Sequence, residues 1–146
     1  MEMKRPGVGL AVILMKDDKV LLGKRKNAHG AGTWAFPGGH LELFEELYDC
    51  ADRELKEETG LTPNDYDLID YYTSAATNDF FRKENEHYVT LFIRAEYRSG
   101  EIKVMEPDKC EEWKWFQWRK FPDELFLPVR NLLIKQHYNL FKGIIY

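Results

Sequence analysis

An α/β domain built on a mixed β-sheet is the fold class this sequence predicts, on three observations. Apolar, β-branched runs recur at strand length, at Val8–Met15, Lys19–Lys24, Tyr66–Ser74 and His87–Tyr97. One stretch, from about Phe44 to Thr59, carries its apolar residues at helical spacing. A second amphipathic segment closes the chain, from about Val129 to Leu140. Strands on either side of a long helix, followed by a closing helix, bury best as a sheet covered on both faces.

Each element has a local reason. Val8–Met15 and Lys19–Lys24 flank the turn residues Asp17-Asp18 and read as a hairpin. Asn27–Gly32 is a Gly-containing loop with a lone His29, and Thr33–Phe36 is a short strand stopped by Pro37-Gly38-Gly39. The long helix ends at Gly60, a residue suited to the left-handed cap position. Pro63-Asn64-Asp65 is a loop. Tyr66–Ser74 and His87–Tyr97 are strands, the second alternating through Val89, Leu91, Ile93 and Ala95. Between them Asn78–Glu86 is charged and reads as a mobile loop. Ser99-Gly100 marks a turn, and Trp113–Trp118 a further strand. Pro122 and Pro128 frame a connection into the last helix, which gathers Leu132, Leu133, His137 and Leu140 on one side. With no repeat, linker or low-complexity tract, residues 1–146 read as one domain.

Composition narrows the function classes. Twenty-one basic against 25 acidic residues give a net charge of −4, which argues against broad, charge-driven binding of a nucleic-acid polymer. It also makes an anionic substrate awkward without a divalent ion. No apolar run approaches the roughly 18 residues needed to span a bilayer. The basic Lys4-Arg5 before apolar Val8–Met15 resembles a leader, but Lys16-Asp17-Asp18-Lys19 stands where a small-residue cleavage site would be, so a buried first strand is the better reading. Cys50 and Cys110 form no C-x-x-C pair and no disulfide framework, as expected of reduced thiols in a cytoplasmic protein.

The long helix carries the chemistry. Glu54 and Glu57 are three apart, Glu54 and Glu58 four apart, so their carboxylates share a face. At about 100° per residue that face falls almost on the apolar stripe of Leu47, Cys50, Ala51 and Leu55. A helix needing only solubility sets its acids opposite such a stripe. Like charges turned inward repel and lose hydration unless a cation joins them. The stripe therefore reads as half of a metal site, and Mg²⁺ suits it: an octahedral ion that takes oxygen ligands and keeps several waters. The plain alternative is a solvated face with Arg53 and Lys56 as helix partners.

Gly39, Glu45, Arg53, Glu54, Leu55, Glu57, Glu58, Gly60 and Leu61 fit the Nudix box in full: Gly, five residues, Glu, seven residues, then Arg-Glu-apolar-any-Glu-Glu-any-Gly-apolar. A chance match in a chain this long is on the order of one in 10⁷. The chain thus resembles the Nudix hydrolases. Arg5–Gly9, Leu21–Arg25, Phe36–Glu42 and Glu106–Glu111 extend the likeness to a MutT-like subgroup that includes the human thiopurine-nucleotide diphosphatase and plant nucleoside-triphosphate and dihydroneopterin-triphosphate pyrophosphatases. The resemblance implies the Nudix α/β/α sandwich and a divalent cofactor, Mg²⁺ or Mn²⁺. It also implies a small-molecule nucleotide substrate, and a homodimer as an assembly to be tested.

Carried over residue by residue, the resemblance implies metal ligation by Glu54 and Glu58 first, then Glu57, with the Gly38 carbonyl as a further ligand. Gly38-Gly39 is also plain turn chemistry, and both readings can hold. Arg53 cannot ligate; its work is to fix carboxylates by charge-assisted hydrogen bonds. Glu45 opens the helix, where a negative charge favours the dipole, and the resemblance adds support of the metal shell. For the base that activates water, Glu57 is the first choice and Glu111 the loop candidate, beside its equally exposed neighbour Glu112. Lys24 and Arg25, at a strand end, hold terminal phosphates or are ordinary surface charge. Trp34, Phe36 and Phe126 sandwich a base or pack the core. The four histidines lack ligand spacing, and Tyr72, Trp113, Trp115 and Trp118 read as packing.

The chain departs from its relatives at three places. Phe44 stands where the family usually has Gly. Ala35 replaces an amide-bearing residue near the purine, and Val129-Arg130 replaces a pair of aspartates. Loose base selectivity is therefore expected. The sum is a Mg²⁺-dependent diphosphatase that converts a nucleoside triphosphate to a monophosphate and pyrophosphate. Two alternatives stand beside it: cleavage of a dinucleotide-type diphosphate such as NADH or ADP-ribose, and a non-catalytic nucleotide sensor.

Overall fold

The computed structural model describes residues 4–27 and 29–136. The first hairpin pairs β1 (Gly7–Lys16) with β2 (Lys19–Arg25). Two short strands follow, β3 (Trp34–Ala35) and β4 (Gly38–His40), then the helix α1 (Leu47–Thr59). A long hairpin joins β5 (Tyr66–Phe81) to β6 (Glu86–Tyr97); β7 (Cys110–Gln117) and α2 (Leu127–Gln136) complete the order. The sheet runs β3-β2-β1-β6-β5, with β4 paired to β1 and β7 to β2. The β1–β6 pair is parallel and the other pairings are antiparallel, so the sheet is mixed.

Alternation along the strands divides the core between two faces. Leu10, Val12, Leu14 and Leu21 point to one side and meet Cys50, Ala51 and Leu55 of α1. Ala11, Ile13, Met15, Val20, Leu22 and Phe92 point to the other and meet Val129 and Leu132 of α2. Because β1 is buried on both faces, Leu10–Met15 is apolar without a break. The α/β/α sandwich expected from the sequence is the architecture found.

Local expectations fail where a backbone or a distant partner decides. The helix begins at Leu47, not Phe44: Phe44 has φ 65°, in the left-handed region, and Glu46 is an extended N-cap. Glu45 therefore precedes α1. The other end is as read, with Gly60 at φ 82° donating its N–H to the Lys56 carbonyl at 3.0 Å. Asn78–Glu86 is not a loop. Asn78–Phe81 continues β5, paired across to Glu86–Val89, and Arg82–Glu84 makes a 3-10 turn. Likewise β7 starts at Cys110, so Glu111 and Glu112 lie on a strand. His137 and Leu140, assigned to the last helix, lie outside the described residues.

The cleft of the molecule arises at a divergence of strands. Cα pairing of β1 with β2 holds only at Met15 and Lys16, next to the turn. Further along, β4 pairs with Gly9–Ala11 of β1, while β3 pairs with Gly23 and Lys24 of β2. A Cβ built on Gly38 would stand 2.1 Å from the Leu10 carbonyl oxygen, so only glycine permits the β4–β1 approach.

Candidate active site

Arg53 organises the acidic end of the cleft. Its Nε donates to Glu45 Oε2 at 2.7 Å and its Nη2 to Glu45 Oε1 at 3.1 Å, a bidentate pair. Nη1 donates to Glu54 Oε1 at 2.9 Å and reaches Glu57 Oε2 at 3.3 Å, while Nη2 also donates to the His40 carbonyl at 3.0 Å. One guanidinium thus ties α1 to β4 and to the loop before the helix. The Arg53 bond holds the Glu45 carboxyl at about 2, well below its ordinary range, and Glu45 in turn pushes Arg53 up. Glu45 also accepts the Glu42 N–H at 3.1 Å, which sets the turn that enters α1.

Two acids face inward together. The Glu54 side chain is 11% exposed and fits the space left by Gly39. Glu58 accepts the Gly38 N–H at 3.1 Å. Desolvation raises both carboxyls, Glu58 to about 8, and each is raised further by neighbouring negative charge, with Glu106 acting on both. Glu57 differs: its side chain is 50% exposed and turned to Arg53. No three His, Cys, Asp or Glu side chains among the described residues form a ready ligand cluster. Two crowded carboxylates hungry for a cation, with glycine backbone beside them, fit an ion that takes few protein ligands and keeps its waters, as Mg²⁺ does.

Two cavities meet at this point. The acidic one, about 480 Å³, is lined by Glu54, Glu57, Glu58 and Glu106 together with Lys24 and Arg53. The apolar one, about 290 Å³, is lined by Phe36, Phe81, Tyr88, Phe126 and Val129 among others. Arg25, Phe36, Gly38 and Gly39 belong to both. The Arg25 guanidinium lies 4.0 Å from the Phe126 ring centroid and donates from Nε to the His29 carbonyl at 2.7 Å. Burial lowers Arg25, an effect the Glu58 charge opposes.

Some residues singled out from sequence lie elsewhere. Trp34 lines neither cavity; its ring packs edge-on to Phe116 at 5.0 Å. Its backbone is held on both sides by the passing 124–126 segment, which brings Phe126 to the apolar cavity instead. Glu111 lines neither cavity and sits at the start of β7, 3.5 Å from Lys24 Nζ.

Sequence reasoning missed other members. Trp113, read as packing, donates its Nε1 to the Glu58 carbonyl at 3.2 Å and covers Gly23, where a Cβ would lie 2.6 Å from its ring. That bond anchors the last turn of α1. Glu106 had a signal, since it opens one of the segments shared with relatives. Tyr88 and Phe81 had none, because they meet only through the β5–β6 pairing. His29, given no chemistry, sits edge-on to Phe81 at 3.9 Å, and neither of its ring nitrogens has a hydrogen-bond partner among the described residues.

A mixed sheet between two helices, with an arginine-clamped acid face at a strand divergence, defines a Nudix-type hydrolase. The NUDIX domain model matches residues 3–136, and the chain belongs to that family. It is a Nudix phosphoanhydride hydrolase by its domain and by the names of its relatives. An "ADP-ribose pyrophosphatase" of Methanocaldococcus jannaschii is 34% identical over 121 residues, covering 83% of this chain and 68% of that protein. An "RNA pyrophosphohydrolase" of Novosphingobium aromaticivorans is 26% identical over 97% of this chain and 94% of its own length. The crystal structure of a MutT NUDIX hydrolase from Burkholderia pseudomallei superposes with a TM-score of 0.78 at 31% identity, covering 90% of this chain and 98% of that one. No helix among the described residues is long and apolar enough to cross a membrane.

Proposed function

We propose that the protein hydrolyses a nucleoside triphosphate to a nucleoside monophosphate and pyrophosphate, with Mg²⁺ (or Mn²⁺) as cofactor. One observation carries the reading: an acidic cavity and an apolar, aromatic cavity adjoin at Arg25 and Gly38-Gly39, which line both. The first suits a metal-bound polyphosphate and the second a base. The sequence likeness to the triphosphate-cleaving subgroup adds support. So do Ala35 and Val129, which line the apolar cavity and themselves bring neither amide nor carboxylate to it, as suits loose base selectivity.

Glu54, Glu58 and the Gly38 carbonyl are the groups to hold the ion, with Glu57 joining them or acting as base. When bound, the ion supplies neutralisation of the phosphate oxygens and a lowered pKa for water. Glu57 takes the proton of the attacking water as its oxygen bonds to phosphorus and the bridging P–O bond breaks. Glu111 is the second candidate for that proton, and its contact with Lys24 keeps it near the acidic cavity. Arg53 positions the carboxylates, and Glu45 anchors Arg53. Lys24 and Arg25 meet the phosphates; Phe36 and Phe126 flank the base.

A second reading is favoured by the relative named ADP-ribose pyrophosphatase: cleavage of a diphosphate bridging two organic groups, as in ADP-ribose or NADH. Product analysis separates the two. Pyrophosphate from triphosphates with added Mg²⁺ supports the first, and monophosphate products from ADP-ribose or NADH alone support the second. No turnover of any member of the panel, with Glu58→Gln indistinguishable from the wild type, would sink both.

A further inference from the structure

A basic recess of about 350 Å³ lies where β1 begins and the β5–β6 hairpin turns. Lys4, Arg5 and Arg82 bring three cations to it, and Phe80 and His87 bring rings. In a chain of net charge −4 such a gathering is a local exception. Glu86 is the one acid among the residues that line the recess. Glu84 Oε1 stands 3.7 Å from His29 Nδ1, and Glu86 is hydrogen-bonded by the Tyr88 hydroxyl. Among the described residues no carboxylate pairs with Arg5 or Arg82.

The recess is also built. The Lys4 ammonium donates to the Asn85 carbonyl, which holds the start of β1 against the hairpin. The Arg82 guanidinium lies 5.3 Å from the centroid of Phe80, whose ring is packed against His87 at 4.7 Å yet leaves the residue 49% exposed. Cations that merely guard a sheet edge are spaced along the strand. Here they converge at its end around an exposed ring, which is how phosphate and a planar group are held together. Glu86 lines both this recess and the apolar cavity, so the two meet.

We propose that this recess binds a second phosphate of the substrate, carried beyond the part that sits in the apolar cavity. The inference rests on reading that cavity as the nucleoside end. Two sources share the chemistry: a ribose phosphate monoester, or the next phosphodiester of a nucleotide chain.

Titration calorimetry on the full chain with Mg²⁺ tests it, using AMP, adenosine 2′,5′- and 3′,5′-bisphosphate and the dinucleotide pApA. The extra phosphate should tighten binding about tenfold over AMP, as one charge-assisted contact would, and the gain should shrink with added salt. In the Arg5→Gln, Arg82→Gln double variant the gain should vanish while turnover of an ordinary triphosphate is unchanged. A gain confined to the bisphosphates assigns the monoester, and one confined to pApA assigns the diester. No gain with any probe, or a gain that survives the double variant, overturns the proposal. Failure of the function reading is separate: it shows as absent phosphoanhydride turnover, whatever the bisphosphates do.

Discussion

The Glu54 carboxylate occupies the place where a side chain on Gly39 would stand: a Cβ built there would lie 2.3 Å from Glu54 Oε1 and 2.5 Å from its Cδ. Gly39 has no positive φ, so its smallness serves the carboxylate rather than the backbone. Gly39→Ala should therefore displace Glu54 and lower activity about 10–100-fold, with the Mg²⁺ concentration for half-maximal rate raised. Stability should change little, since the displaced group moves toward water. A Gly39→Ala protein with wild-type Mg²⁺ dependence and rate would refute the relationship.

Arg53 contacts Glu45 through Nε and Nη2 and Glu54 through its remaining nitrogen, Nη1, a geometry no ammonium reproduces. Arg53→Lys is expected to lose about 10–100-fold in kcat/KM while keeping the fold. Because Glu45 acts through Arg53, the Arg53→Lys, Glu45→Gln double variant should be hardly worse than the worse single one. Fully additive losses would show that the two work independently.

How much of this was legible beforehand depended on where each partner lay. Glu54 and Glu58 were readable because helix period alone sets them beside Cys50, Ala51 and Leu55. The start of α1 was not, since Phe44 takes a left-handed conformation, which costs a non-glycine residue about 1–2 kcal/mol and is decided outside the helix. Asn78–Glu86 read as a loop because it is charged. Yet Asp79 is buried on partners 11 and 52 residues away, Thr90 and Asn131, which no local pattern reveals. The Trp113 bond to Glu58 spans 55 residues and was hidden for the same reason.

Asp79 joins three elements beneath the apolar cavity. Its Oδ2 accepts from Thr77 Oγ1 at 3.1 Å and Thr90 Oγ1 at 2.5 Å, and its Oδ1 accepts from Asn131 Nδ2 at 2.8 Å. Removing the acceptor strands these donors, of which Thr77 and Thr90 are buried. Asp79→Ala is expected to destabilise by about 2–4 kcal/mol in urea unfolding. A change below about 0.5 kcal/mol, the range of ordinary surface substitutions, would show that the cluster carries no weight.

The acid pair predicts an inverted pH dependence for the metal-free protein. Desolvation raises Glu58 from 4.5 to about 8 in the fold and raises Glu54 in the same direction. Between about 4.5 and 8 the folded chain therefore holds a proton that the unfolded chain releases, so stability falls as pH rises, by at most about 1.4 kcal/mol per pH unit for Glu58. Glu45 and Asp65, both lowered, contribute stability that is lost only in acid, below this window. In EDTA the protein should melt at a higher temperature at pH 5.5 than at pH 8. Glu58→Gln should flatten that slope, because no proton remains to be lost. Saturating Mg²⁺ should reverse the trend, since the ion competes with the proton for the same oxygens. A metal-free protein whose stability stays level or climbs from pH 5.5 to 8 would show that Glu58 is solvated in the cleft and that the two acids are not pressed together there.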